Sequence, residues 1–110
     1  MNIQIFGKSK CFDTKKSQRY FKERRIKYQD IDLARYGMSK GELCSVKNVV
    51  GFENMVNHDA PGAEILEYLD RESDREEKLL EHPELIKTPV VRNGKRATVG
   101  YCPEVWKTWD

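Results

Sequence analysis

The first 33 residues change hydrophobic period twice, and this limits the folds open to the chain. In "NIQIF" (residues 2–6) Ile3 and Ile5 alternate with polar neighbours, with Phe6 behind them, as in a strand. Residues 12–25 then repeat at helical spacing. Thr14, Ser17, Tyr20 and Phe21, with the stem of Arg24, fall on one inner face. "IKYQDIDL" (26–33) returns to alternation through Ile26, Tyr28 and Asp30, then Ile31 and Leu33. Strand, helix, strand in this order predicts a parallel pair joined by a crossover helix. A cysteine, Cys11, stands where the first strand hands over to the helix, after the turn "GKSK".

The middle of the chain reads as helical. "MSKGELCSVKNVV" offers Ser39 as N-cap and Glu42 three residues later, the spacing of a capping box. "APGAEILEYLDRES" places Pro61 near a helix start, with Ile65, Leu66 and Leu69 on one face, and "DREEKLLEHPEL" continues as a short helix stopped near Pro83. The period then returns to two. "TPVVRNGKRATVGY" predicts a hairpin with Val90 and Val91 on one strand, Ala97 to Val99 on the other, and a turn at Asn93-Gly94, where glycine supplies a positive φ. "PEVWKTWD" closes as a helix with Pro103 at its first position, where a missing N–H costs nothing. Trp106 and Trp109, three apart, are expected to pack this helix on the sheet.

Composition excludes several classes. The chain has 110 residues, is 35% charged and contains no apolar run near the ~20 residues of a membrane span. "MNIQIFGK" is too short and polar for a secretory signal, which predicts a cytoplasmic protein. Three cysteines, an odd number, argue for reduced thiols rather than a disulfide framework. With two histidines and no CxxC or HExxH, no metal site is expected. The net charge of +2 is unevenly spread: Lys15, Lys16, Arg19, Lys22, Arg24, Arg25 and Lys27 face only Glu23 in one stretch, and residues 64–84 carry nine carboxylates. The plain reading is two solvated helix faces of opposite sign; the sharper one is a basic docking surface for an acidic partner. No base-reading motif accompanies the basic helix, so nucleic acid is not expected as a partner.

A β-α-β start, a helical block, a hairpin and a last helix are the order of a thioredoxin-like fold. Such a fold has a cysteine before its first helix and a cis X-Pro bond before its third strand, and Thr88-Pro89 offers that bond. The chain resembles the arsenate reductase/Spx family, a thioredoxin-like group with a helical insertion between strands two and three. "KCFDTKKSQRYFKERRIKYQDIDL" and "HPELIKTPVVRNGKRATVGYCPEVW" carry the resemblance, with "SKGELCSVKNVVGFENMV" between them. It implies an α/β fold with a four-stranded mixed sheet, one thioredoxin-like domain over 1–110, and the insertion over roughly 39–84.

At the start of that first helix, unpaired N–H groups from Phe12, Asp13, Thr14 and Lys15 point toward the Cys11 sulfur, and the helix dipole adds positive potential. Lys8, Lys10 and Lys15 lie close in sequence, and the Thr14 hydroxyl can donate to the sulfur. Asp13 opposes them unless its carboxylate turns outward. The sum favours thiolate, the nucleophilic form. With the resemblance this makes Cys11 the expected catalytic thiol; read alone, it is equally an inert N-cap.

The same helix terminus can receive an oxyanion. The family's arsenate reductases add arginines, one before the proline of the third strand and one before the proline opening the last helix. Here those positions are Thr88 and Cys102, neither of which replaces a bidentate guanidinium, and this argues against arsenate turnover. The Spx branch carries CxxC where this chain has "CFDT", so no two-cysteine switch exists within the motif. Lys87 and Arg92 are near in sequence, with strand parity left open.

Cys102 reads either as a resolving thiol for Cys11 or as a half-buried N-cap, and Cys44 as a small buried hydrophobe. His58 and His82 carry no catalytic partner. Two functions follow from the resemblance. One is a thiol oxidoreductase of arsenate-reductase type acting on a small oxyanion or disulfide, with no bound cofactor and with glutathione, glutaredoxin or thioredoxin as external reductant. The other is an Spx-like regulatory module binding a larger protein such as RNA polymerase.

Overall fold

A computed structural model describes residues 1–109. β1 (Ile3–Gly7), α1 (Phe12–Glu23) and β2 (Tyr28–Asp32) form the expected crossover unit. β1 and β2 are parallel, with Ile3 opposite Tyr28 and Gly7 opposite Asp32. β3 (Val90–Asn93) runs antiparallel on the other side of β1, and β4 (Arg96–Val99) pairs antiparallel with β3. The result is a four-stranded mixed sheet in the order β2-β1-β3-β4, entered by a cis Thr88-Pro89 bond.

Strand alternation divides the core into two layers. Ile3, Ile5 and Val91 join Tyr20 and Phe21 of α1 and the two tryptophans in one cluster. Phe6, Val90 and Ala97 face the opposite side and pack with Leu43, Val46, Met55 and Leu79 of the helical block. The α1 face of Thr14, Ser17, Tyr20 and Phe21 is buried as its spacing predicts. The last helix, α6 (Pro103–Trp106), starts on Pro103 and continues as a 3-10 turn to Trp109. Trp106 Nε1 donates to Thr98 Oγ1 at 2.8 Å, which fixes the helix on the edge of the sheet.

The block between β2 and β3 begins earlier than residue 39. Asp32 ends β2 and caps α2 (Leu33–Tyr36) by accepting from the Ala34 N–H. α3 (Lys40–Val50) carries the predicted capping box: Ser39 Oγ accepts from the Glu42 N–H at 3.1 Å and Glu42 Oε1 from the Ser39 N–H at 2.9 Å. α4 (Phe52–Met55) follows. Ala63–Tyr68 is a 3-10 segment rather than the expected α-helix. Its buried residues, Ala63 and Leu66, are three apart, the repeat of a 3-10 turn, and Ile65 faces solvent. α5 (Glu72–Glu81) then leads through a turn at Pro83–Leu85 to β3.

Three boundaries differ from the sequence reading. α1 stops at Glu23, because Arg25 takes a left-handed φ of 58° and closes a Schellman turn: Ile26 N–H to Phe21 O, Arg25 N–H to Lys22 O. The second strand covers Tyr28–Asp32 rather than 26–33. The hairpin turn sits one residue later than predicted: Asn93 pairs with Arg96, so Gly94 and Lys95 are the turn residues, with Gly94 at φ 61°. Among the described residues no helix is long and apolar enough to cross a membrane.

Candidate active site

Cys11 is the N-cap of α1, in extended backbone (φ −91°, ψ 118°), and its side chain caps nothing. The loop that carries it is closed by Cys11 N–H to Lys8 O (3.1 Å) and Lys15 N–H to Cys11 O (3.2 Å). The loop can lie this close to α1 only because residue 7 is glycine. A Cβ at Gly7 would collide with Thr14 Cγ2 and stand 2.8 Å from Thr14 Oγ1. Thr14 is in turn buried, and its hydroxyl accepts from the Lys8 N–H at 3.4 Å.

The Cys11 thiol is half-buried and donates to the Thr88 carbonyl at 3.7 Å, immediately before cis-Pro89. Two tendencies compete. Burial pushes the thiol up. The Thr14 and Thr88 side chains and the backbone N–H groups of Thr14 and Asp13 stabilise the anion and prevail, holding Cys11 below the ordinary thiol value. The donation to the Thr88 carbonyl favours the neutral form, but it is one long contact against several donors. Ionisation thus yields a sulfur whose donors are already in place, and the thiolate is the attacking form in displacement chemistry.

The cations divide unequally. Lys8 lies within electrostatic reach of Cys11, and its ammonium donates to the Glu84 and Ile86 carbonyls at 3.1 Å each, tying the loop to the segment before β3. Burial holds Lys8 below the ordinary lysine range, with Cys11 and Glu84 opposing. Lys10 and Lys15 are exposed. Arg92 shares the sheet face of Val90, away from Cys11. Its guanidinium donates to Gln4 Oε1 (2.7 Å) and Ser45 Oγ (3.4 Å) and lies 3.9 Å from Glu42. The Asp13 carboxylate bears on Cys102, while its N–H serves Cys11.

Cys102 is the N-cap residue before Pro103, half-buried, and donates to the Val99 carbonyl at 3.5 Å. Burial pushes it above the ordinary thiol range, Thr98 and Lys87 oppose, and Glu104 and Asp13 add to the rise. Cys11 and Cys102 are both free thiols turned toward different carbonyls. Cys44 is half-buried rather than fully enclosed, because its thiol reaches Glu76 Oε1 at 3.6 Å. The sequence places Thr88 in the active-site loop, as the residue before the cis proline and in the position of an expected arginine, but does not show its support of Cys11 or the part played by Gly7. The one visible signal was the Gly-x₆-Thr spacing from Gly7 to Thr14, whose meaning depends on the loop's path.

A parallel crossover unit, a thiol at the following helix start and a cis-proline strand beside it define a thioredoxin-like protein. The chain belongs to the ArsC family, whose model matches residues 6–109. It is 30% identical over 109 residues to the global transcriptional regulator Spx 2 of Oceanobacillus iheyensis, a match covering 92% of this chain and 78% of that protein. The arsenate reductase from Vibrio cholerae superposes with a TM-score of 0.81 at 22% identity, over 96% of this chain and 94% of that one. NrdH-redoxin from Escherichia coli superposes at 0.53 with 16% identity, over 100% and 96%. At these identities the two structures speak for the fold alone.

Proposed function

We propose that this chain is a thiol-dependent oxidoreductase of arsenate-reductase type, with Cys11 as nucleophile. The observation that carries the reading is the Cys11 thiol at the α1 N-cap, held below its ordinary value by Thr14, Thr88 and two backbone N–H groups. On a disulfide substrate the Cys11 thiolate attacks one sulfur, the S–S bond breaks and the other sulfur leaves as thiolate. An external thiolate, from glutathione, glutaredoxin or thioredoxin, then attacks the Cys11 sulfur and expels the second substrate thiolate. A second external thiolate attacks the external sulfur of the new mixed disulfide, releasing Cys11 and forming the external disulfide. Two external thiols are oxidised for each disulfide reduced, and no bound cofactor is required. Cys102 is the candidate resolving thiol within the chain. Arsenate is a weak substrate in this reading, because Thr88 and Cys102 stand where two arginines are expected and Arg92 is engaged on the far face.

A second reading is an Spx-like regulatory module that docks on a larger protein such as RNA polymerase, its thiol silent or regulatory. The 30% identity to Spx 2 favours it, as do the two missing arginines.

One set of measurements separates the two. Partial alkylation with iodoacetamide across pH, mapped by mass spectrometry, is expected to label Cys11 before Cys44 near neutrality. NADPH-coupled reduction of a small disulfide through glutathione is expected to proceed and to vanish in Cys11→Ser. Labelling of Cys44 first removes the basis of the enzyme reading. A reactive Cys11 without turnover selects the regulatory one. Arsenate turnover is expected to be low, since one lost charged donor costs ~2.7–4 kcal/mol, or about a hundred- to a thousandfold. Thr88→Arg with Cys102→Arg is expected to tighten arsenate binding.

A further inference from the structure

On the β2 side of α1, away from the Thr88 carbonyl that Cys11 faces, lies a cavity of about 290 Å³ with walls of opposite charge. Asp30 and Asp32 are two apart on β2 and therefore project to one sheet face. That face is the one α1 covers, since Gln18 Nε2 donates to Asp30 Oδ1 at 2.9 Å. Asp32 Oδ1 accepts from the Ala34 N–H at 3.1 Å. Each carboxylate keeps its second oxygen for another donor. Lys15 precedes Gln18 by three residues and shares its side of the helix, one turn nearer the end of β2. Lys8 also lines the cavity, but its ammonium is turned to the Glu84 and Ile86 carbonyls.

Among the described residues no ion pair within 4 Å joins Lys15 to either aspartate. The fold thus sets two carboxylates side by side with no cation paired to either, and exposed Lys15 lines the same cavity. Exposed Tyr36 and Ser9 also line it.

We propose that this cavity binds a small zwitterion of the α-amino-acid type, its ammonium received by Asp30 and Asp32 and its carboxylate by Lys15. Both charges are matched only by a ligand that carries both. A diamine leaves Lys15 unpaired and adds a second cation beside it; a dicarboxylate meets two aspartates. The binding is independent of sulfur chemistry at Cys11, so it stands or falls apart from the oxidoreductase reading.

S-methylglutathione, which has an α-amino-acid end and no free thiol, is the first probe, with L-glutamate as the second. Titration of the full chain is followed by backbone amide NMR shifts. Both probes are expected to move the Ser9, Gln18, Asp30 and Asp32 amides with about millimolar dissociation constants, as suits exposed ion pairs. Putrescine and succinate are expected to bind at least about fivefold more weakly, one ion pair being lost. Asp30→Asn with Asp32→Asn is expected to weaken the zwitterions and leave the remaining spectrum in place. Absence of shifts at these amides with both probes overturns the proposal. So does putrescine or succinate binding as well as the zwitterions, or the double variant binding them unchanged.

Discussion

Thr14→Val removes one oxygen from the Cys11 site and keeps the shape of the side chain. Thr14 is 3% exposed and its methyl group fills the space beside Gly7, so valine preserves the packing. What is lost is a hydroxyl that supports the Cys11 anion and accepts from the Lys8 N–H. A hydrogen bond to a charged group contributes ~1.5–3 kcal/mol. Cys11 is half-buried, and water replaces part of the loss, leaving ~1 kcal/mol. That is about a factor of five in the ionisation equilibrium.

The more basic thiolate is also the better nucleophile, with a Brønsted slope of about 0.4–0.5, so alkylation below the pKa is expected to slow only about two- to threefold. The plateau at high pH is expected to rise about twofold by the same slope. The assay is the pH–rate profile of Cys11 alkylation, with Thr14→Ser, which keeps the hydroxyl, as the control. Stability supplies a second readout. Cys11 ionises more readily folded than unfolded, so its contribution is complete above the unfolded value and is lost as pH falls through the folded one. The stability gap between wild type and Thr14→Val should therefore widen as pH rises toward and past the ordinary thiol value. A Thr14→Val profile that superposes on wild type, or the same displacement in Thr14→Ser, would refute the role given to this hydroxyl.

Three further outcomes are expected. Gly7→Ala should destabilise the protein by roughly 1–3 kcal/mol in urea melts, because the added Cβ meets the buried Thr14 side chain. Arg25→Gly should raise stability by about 0.5–1 kcal/mol, since glycine adopts the left-handed conformation of the Schellman turn without the Cβ penalty, offset in part by the entropy of the unfolded chain; an unchanged melting temperature would count against it. Lys47 bonds both Glu72 and Glu76, and holds Glu76 below the usual carboxylate range. Its contribution is present above the unfolded glutamate value and lost as pH falls through the lower folded one, so Lys47→Met should be destabilising at pH 7 and converge on wild type in acid melts.

What the sequence determined by itself was local. The two strand–helix changes in period, the Ser39/Glu42 capping box and Pro103 at a helix start are written in neighbouring residues, because hydrogen bonds within a few positions decide them. With the family resemblance, the same residues led to the fold, the cis Thr88-Pro89 bond and Cys11 at a helix start. Tertiary structure decided what depends on residues far apart in the chain. The face Arg92 presents follows from strand register, since one step in β3 exchanges the Cys11 side for the α3 side. The support of Cys11 by Thr88 joins positions 77 residues apart, and Lys8 reaches the Glu84 and Ile86 carbonyls across a similar span. The charged walls of the β2-side cavity exist because a parallel crossover lays Lys15 of α1 over the end of β2. A linear pattern records which residues can pair; only the folded path decides which side chains meet, because the sheet brings its strands together at 4.7–4.9 Å whatever their distance along the chain.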